Sequence, residues 1–267
     1  MPLSGMLGAL EVELPACPRT LLELLAMLED ENGSVQNMAR LIESDMALAS
    51  AVVRTVNTAM FGLLRRVETV GEAVLCLGMR EVGAITYSIA LHSAFPSTPP
   101  LQRLWEESSR CALLMGRSAR AMNLDPLRAH TAGLFARAGQ AVLLASARHA
   151  YADLMAQHDH DLPGLLQAER ANFRITHAAY GSALCANWGL APDVVKYVSH
   201  RVESPERWQT LAEPLRDLLA LGRLAEMLVD GTELHAALVQ VEADTGLPAA
   251  VLERAVAEPW ALLSKAL

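Results

Sequence analysis

Three observations predict an all-α fold for this chain. Ala and Leu dominate a composition that is 52% hydrophobic and only 4% aromatic, which suits close helix packing better than sheet. Apolar residues recur at three- and four-residue spacing, while strict apolar–polar alternation is scarce. Helix punctuation by capping Ser, Thr and Asp, opening Pro and closing Gly runs through most of the sequence. At 267 residues the chain can bury a sizeable core as one large domain or two intimate ones.

The elements follow in order. Pro18 suits the N1 place of a first helix carrying Leu21, Leu22, Leu25 and Leu28, which Asn32-Gly33 stops. Ser34 caps a second helix with Met38, Leu41 and Ile42 inward, and Asp45 caps a third with Leu48, Val52, Val53 and Val56. Thr69 with Glu72 forms a capping box before Ala73, Val74 and Leu77, and Gly78 suits that helix's end. Met79 to Ala94 reads as a fifth helix, so residues 14–95 form a bundle of short helices.

Pro96-Ser97-Thr98-Pro99-Pro100 is the clearest break, because three prolines in five residues stiffen the chain and cannot continue a helix. It separates the first bundle from a second helical subdomain over residues 101–200. There the spacing predicts a long helix from Leu101 to Met122 and another, opened by Asp125-Pro126, reaching about His149. Gln157 to Gly164 reads as a polar loop. Thr176 caps a helix that Gly189 ends, and Pro192 starts one toward His200. Residues 201–267 form a helical extension of about three helices, broken near Gly231 and Gly246-Leu247-Pro248.

A formal net charge of −8 argues against nucleic acid as a partner, since that binding runs on clustered Lys and Arg. The pair Arg65-Arg66 is too small to change this and reads as a solvated turn. Cys17, Cys76, Cys111 and Cys185 are scattered without a C-x-x-C pair, so buried free thiols are expected rather than zinc or disulfides. Met1 to Leu14 carries Glu11 and Glu13 but no basic residue, unlike a signal peptide. No uncharged run of 18 apolar residues occurs, so no membrane span is expected. The expectation is a soluble, cytoplasmic protein.

Several segments carry a resemblance in register. Leu14-Pro15 precedes the first helix, and Leu41-Ile42-Glu43-Ser44-Asp45 resembles L-I-x-x-D-P with Met46 in place of the proline. Asn57-Thr58-Ala59-Met60-Phe61-Gly62 resembles N-S-A-F-Y-G. Val67-Glu68-Thr69-Val70 through Leu77-Gly78 resembles I-x-S-I-x-E-A-I-x-x-L-G. Trp105 stands at the opening of the long helix, His177 and Gly181 resemble H-x-x-x-G, and Trp188-Gly189-Leu190 with Pro192 resembles W-x-L-P. Together these resemble the HDOD family of bacterial signalling proteins over residues 14–200. The resemblance implies an all-helical fold related to the HD-type metal phosphohydrolases, without an established catalytic role of its own.

Gly133-Leu134-Phe135-Ala136-Arg137-Ala138-Gly139 is similar to the G-L-L-H-D-I-G turn of those hydrolases, with the His-Asp pair replaced by Ala136 and Arg137. In such enzymes a metal polarises a phosphoryl oxygen and activates water. By the same resemblance the histidine ligand of the long helix falls at Glu107, and His177 and His200 are retained family histidines. Arg201 follows where relatives carry a second histidine. Alanine has no donor atom and arginine no lone pair to give. A guanidinium ~4 Å from a divalent ion would add repulsion of several kcal/mol even at an effective dielectric constant of about 20. A degenerate site formed by Glu107, Ala136, Arg137, His177 and His200 is therefore expected, holding no metal and no cofactor. Arg137 in turn is a candidate built-in cation paired with Glu107. His158-Asp159-His160-Asp161 reads as a polar loop able to bind metal only weakly.

No P-loop, G-x-S-x-G elbow or H-E-x-x-H helix offers another chemistry. The leading expectation is a non-catalytic signal-transduction module acting through protein–protein interaction with signalling proteins. A second reading is a sensor of a nucleotide or cyclic dinucleotide, with Arg137, Arg174 and Arg201 meeting phosphates. A third is a hydrolase rebuilt around Glu107, His177 and His200. Asn57, at a helix end, is a candidate partner contact as well as a candidate cap. Leu218, Leu219, Leu221, Leu224 and Leu228 can pack on the core or on a second copy, which leaves a homodimer open.

Overall fold

The computed structural model describes residues 14–29, 34–58, 61–159 and 161–264. Asn32-Gly33, Ala59-Met60, His160 and the N-terminal Glu11 and Glu13 lie outside these residues. The fold is all-α, and no strand occurs among the described residues. Two compact units meet in sequence between Phe95 and Pro96. One comprises Ala16–Phe95 with the chain from Glu258 on, the other Pro96–Ala257 with Leu14 and Pro15.

The smaller unit is built from α1 (Arg19–Glu29), α2 (Val35–Glu43), α3 (Met46–Val56), α4 (Val70–Leu77) and α5 (Met79–Ser93). Its caps follow the sequence reading. Ser34 accepts from the amide of Asn37, Asp45 from those of Ala47 and Leu48, and Thr69 from that of Glu72. Glu72 returns a bond, but to the amide of Glu68 at 2.8 Å, so the capping box closes one residue early. Gly78 takes φ +87 between α4 and α5, where a side chain would be strained. Packing of α5 against α1, α3 and α4 buries Leu21, Leu24, Val52, Val82, Ile85 and Leu91.

In the larger unit, Thr98 precedes α6 (Pro99–Ser118), which has Pro99 and Pro100 in its first turn. A short 3₁₀ segment, Ala119–Met122, finishes the run predicted as one helix. Then come α7 (Pro126–Phe135), α8 (Ala138–Gln157), α9 (Leu162–Phe173), α10 (His177–Asn187) and α11 (Pro192–His200). They are followed by α12 (Pro205–Trp208), α13 (Glu213–Val229) and α14 (Leu234–Thr245). The last helix, α15 (Ala249–Leu263), starts in this unit and ends in the smaller one.

Three features differ from the sequence reading. The helix expected from Pro126 to about His149 is two helices, because the chain turns at Ala136-Arg137. The segment expected as a loop ends in α9, whose N-cap is Asp161 and whose Pro163 sits in the first turn. Residues 201–257, set apart as part of an extension, cluster with the larger unit, where α13 packs on α6, α7 and α11. Leu218, Leu219, Leu221, Leu224 and Leu228 are each at most 4% exposed. They are core residues of this chain and not a face for a second copy.

Of the four thiols, Cys111 and Cys185 are buried, Cys17 is partly exposed and Cys76 is exposed, so the expectation of buried thiols holds for two.

His92, near the end of α5, is lowered by burial from the usual 6.5 to about 4. Unfolded chains bind this proton near pH 6.5 while the folded form resists it, so stability is full above that pH and falls as acid is added. The loss amounts to at most about 3 kcal/mol on reaching pH 4. Hydrogen exchange along α5 between pH 7.5 and 4.5 should show it, and His92→Gln should flatten the profile.

Candidate functional site

Close helix approach sets the stage for the turn at Ala136-Arg137. A Cβ on Gly133 would lie 2.8 Å from the Ala112 Cα on α6, and one on Gly139 would lie within the carbonyl of His177 on α10. These two glycines therefore bring α7 onto α6 and α8 onto α10 at backbone distance. Ala136 is 3% exposed and offers the site nothing but a methyl group. Arg137 reaches across to α6, with Nη1 3.1 Å from Oε2 of Glu107. Its Nη2 lies 3.7 Å from Oδ1 of Asp230, the C-cap of α13. This cluster forms the outer rim, with Arg137 at 19%, Glu107 at 39% and Asp230 at 47% side-chain exposure.

Behind the rim lies a buried polar chain. His177, the first residue of α10, is 1% exposed and Glu169 of α9 is 0% exposed. Glu169 accepts from the His177 amide at 2.8 Å, from His177 Nδ1 at 2.8 Å and from the Tyr151 hydroxyl at 2.6 Å. Nδ1 therefore carries the proton, which leaves the lone pair of His177 on Nε2. That lone pair faces Nη1 of Arg201 at 3.4 Å. Arg201 also donates to Glu226 of α13, with Nε 3.2 Å from Oε1 and Nη2 closer still. Tyr197, also on α11, packs its ring and hydroxyl against Gly222 of α13, where any Cβ would collide with it.

The protonation states follow from these neighbours. Burial pushes the Glu169 carboxyl up, but the hydrogen bonds from His177 and Tyr151 outweigh it and hold the group below its usual value. Burial lowers His177, and Glu169 only partly restores it, so the imidazole is neutral. Burial also raises Glu226, yet the charges of Arg201 and Arg137 together keep it ionised and low. Cys111 and Tyr197 are raised well beyond their ordinary ranges by burial and then by Glu226, so neither is a ready nucleophile.

The residues do not fit the metal that the HD-type resemblance implies. Ala136 has no donor, Arg137 and Arg201 bring two permanent cations into the cluster, and His177 has its lone pair turned to Arg201. Among the described residues, no group of three or more His, Cys, Asp and Glu side chains is arranged to hold a metal ion.

The other candidates fall elsewhere. His200 is bonded through Nδ1 to Glu203 at 2.7 Å, and it is the adjacent Arg201 that meets His177. Arg174 is an exposed residue with φ +62 at the end of α9. His158 lies 3.6 Å from Asp161, whose other oxygen caps α9 through the Gly164 amide. Asn57 is a structural stitch at the end of α3, as the cap reading expects. Its Nδ2 donates to the carbonyls of Val53 and Val67, and its Oδ1 accepts from the Val67 amide. Trp188, read from the motif, donates to the Pro15 carbonyl at 2.9 Å and stacks edge-on to Phe135.

Glu169, Tyr151, Glu226 and Asp230 were missed by sequence reasoning. A signal existed for Glu169, which occupies an apolar-stripe position with Leu165 and Leu166 on α9. A charge on a buried stripe calls for a partner.

Comparison with known proteins places this geometry in context. Residues 14–204 match the HDOD domain family. An uncharacterised protein of Treponema pallidum (strain Nichols) is 25% identical over 230 residues, covering 82% of this chain and 43% of that protein. The chain thus spans less than half the length of that relative. Among solved structures, a candidate phosphohydrolase from Shewanella amazonensis SB2B superposes with a TM-score of 0.75 at 22% identity, covering 95% of each chain. An HDOD domain protein of unknown function from Geobacter sulfurreducens gives 0.70 at 18%, covering 96% of this chain and 94% of that one. A candidate signal transduction protein from Marinobacter aquaeolei VT8 gives 0.68 at 19%, covering 96% of this chain and 59% of that one. At these identities the structures share the fold.

The buried pair makes an energetic prediction. Glu226→Ala strands the Arg201 charge and should cost about 3–5 kcal/mol in urea unfolding. Replacing both partners, as Glu226→Leu with Arg201→Met, should cost far less.

Proposed function

Since the chain belongs to the HDOD family, we propose that it is a non-catalytic signalling module that acts by docking other proteins. One observation carries the reading: Arg137, at the position of a metal-binding aspartate in the related hydrolases, is paired with Glu107 and Asp230. A fixed cation with its own counter-ions joins α6, α7 and α13 where an enzyme would need an exchangeable, substrate-facing metal. The Marinobacter protein's name supports a signalling role by analogy of fold alone.

Neither rival gains as much from the geometry. A rebuilt hydrolase needs a base, but His177 spends both ring nitrogens on Glu169 and Arg201, and His200 is turned to Glu203. An open nucleotide pocket needs unmatched cations, whereas both guanidiniums here already face carboxylates.

Two assays test the proposal. Purified protein with added Mn²⁺ should hydrolyse p-nitrophenyl phosphate and bis(p-nitrophenyl) phosphate no faster than Mn²⁺ in buffer. Turnover that disappears in His177→Ala would overturn the non-catalytic reading. A tagged chain expressed in its host should co-purify with a protein partner in stoichiometric amount, and repeated recovery of the chain alone would count against docking.

A further inference from the structure

Between α3 and α4 the smaller unit presents an apolar and basic tip on a tied base. Asn57 ties the end of α3 to Val67, donating from Nδ2 to the carbonyls of Val53 and Val67 at 2.8 Å each and accepting the Val67 amide at 2.9 Å. Val67 is 1% exposed, so this end of the segment is packed into the unit. Gly62 turns the chain at φ +58, a conformation that strains most side chains, although a Cβ there would meet only open space. The glycine serves the turn and not the packing. Beyond it, Leu64 is 106% exposed, more than any other large apolar side chain among the described residues. Arg65 and Arg66 are exposed beside it.

Charge is segregated at the same place. No Asp or Glu occurs between Asp45 and Glu68, a stretch that holds Arg54, Arg65 and Arg66 in a chain of net charge −8. Arg54 donates to Ser50 on its own helix at 2.8 Å. Neither Arg65 nor Arg66 has an ion-pair partner among the described residues.

We propose that residues 62–66 form a docking loop that sets Leu64 in an apolar pocket of an acidic partner protein, whose carboxylates meet Arg65 and Arg66. This surface rests on the docking reading above and gives it a place and a partner chemistry. A tip whose base is already hydrogen-bonded has less conformational freedom to lose on binding. An apolar anchor flanked by guanidiniums has the make-up of an interface core with a charged rim. Cations that leave water on docking need carboxylates opposite them, which makes the partner acidic. Other anionic surfaces match less well. A phospholipid surface attracts these few arginines but repels a chain of this net charge, and nucleic acid calls for a wider run of cations.

The test uses the full chain expressed in its host with a photoreactive benzophenone amino acid substituted for Leu64. Irradiation should give a single protein adduct, and the captured protein should be acidic. Arg65→Glu combined with Arg66→Glu should lower the yield about tenfold or more, and high salt should weaken capture. Both arginines are exposed, so the melting temperature should not move. The same photoreactive residue in place of Leu22, which is 48% exposed on α1, should not give this adduct. No adduct at position 64, a basic captured protein, a yield that survives charge reversal, or the same adduct from position 22 overturns the proposal. So does sedimentation of the unaltered chain with phosphatidylserine–phosphatidylcholine vesicles that charge reversal abolishes, since the loop would then belong to a membrane. Co-purification of a partner without any adduct at position 64 removes this surface and leaves the docking reading standing. Loss of both removes both.

Discussion

A carboxylate cut off from water organises the larger unit. Glu169 has no exposed surface, and an ionised group in that position is tolerable only if hydrogen bonds replace its hydration. Meeting that demand takes the first amide and the imidazole of α10 and the phenol of α8, so one side chain ties three helices. The consequences run outward. With Nδ1 bound to Glu169, the imidazole must present Nε2 to Arg201, and the guanidinium must find its own counter-ion on α13. Arg137, Glu107 and Asp230 complete the series at the surface. Each charge in the site is explained by the one before it.

An arginine at this turn makes a different kind of joint from a metal ion. A divalent ion binds reversibly and couples the site to the supply of metal and to pH through ligand protonation. A guanidinium is covalently part of the chain and stays charged throughout the physiological range. The charge of Arg137 is thus balanced from within the chain, by Glu107 and Asp230, whether or not any metal is present.

Legibility in the sequence followed where the constraints were local. Caps at Ser34, Asp45, Thr69, Asp125 and Thr176 act within four residues of themselves, and the structure has each of them in place. Ala136 and Arg137 were readable because they fall inside a turn fixed by two glycines. Glu107 was read with Arg137 and does pair with it, but the other counter-ions were harder to see. Glu226 and Asp230 belong to a helix far along the chain, outside any motif, and only tertiary packing brings α13 to α6 and α11. Asn57 was legible as a cap, and the structure commits its side chain to the backbone at Val53 and Val67. The helix at Leu162–Phe173 was hidden because its start lies in the polar run around Asp161, which is also its N-cap.

Cys111 gives the molecule a reporter of its own. The thiol sits on α6 at 2% exposure and feels the charges of both Glu226 and Asp230. Burial and those carboxylates keep it protonated, so alkylating reagents are excluded by access and by charge at once. Cys76, on α4, is exposed and reacts without any such gate. The ratio of the two alkylation rates in a single sample is therefore an internal clock for opening of the core: Cys76 counts reagent, while Cys111 counts the moments when its surroundings open.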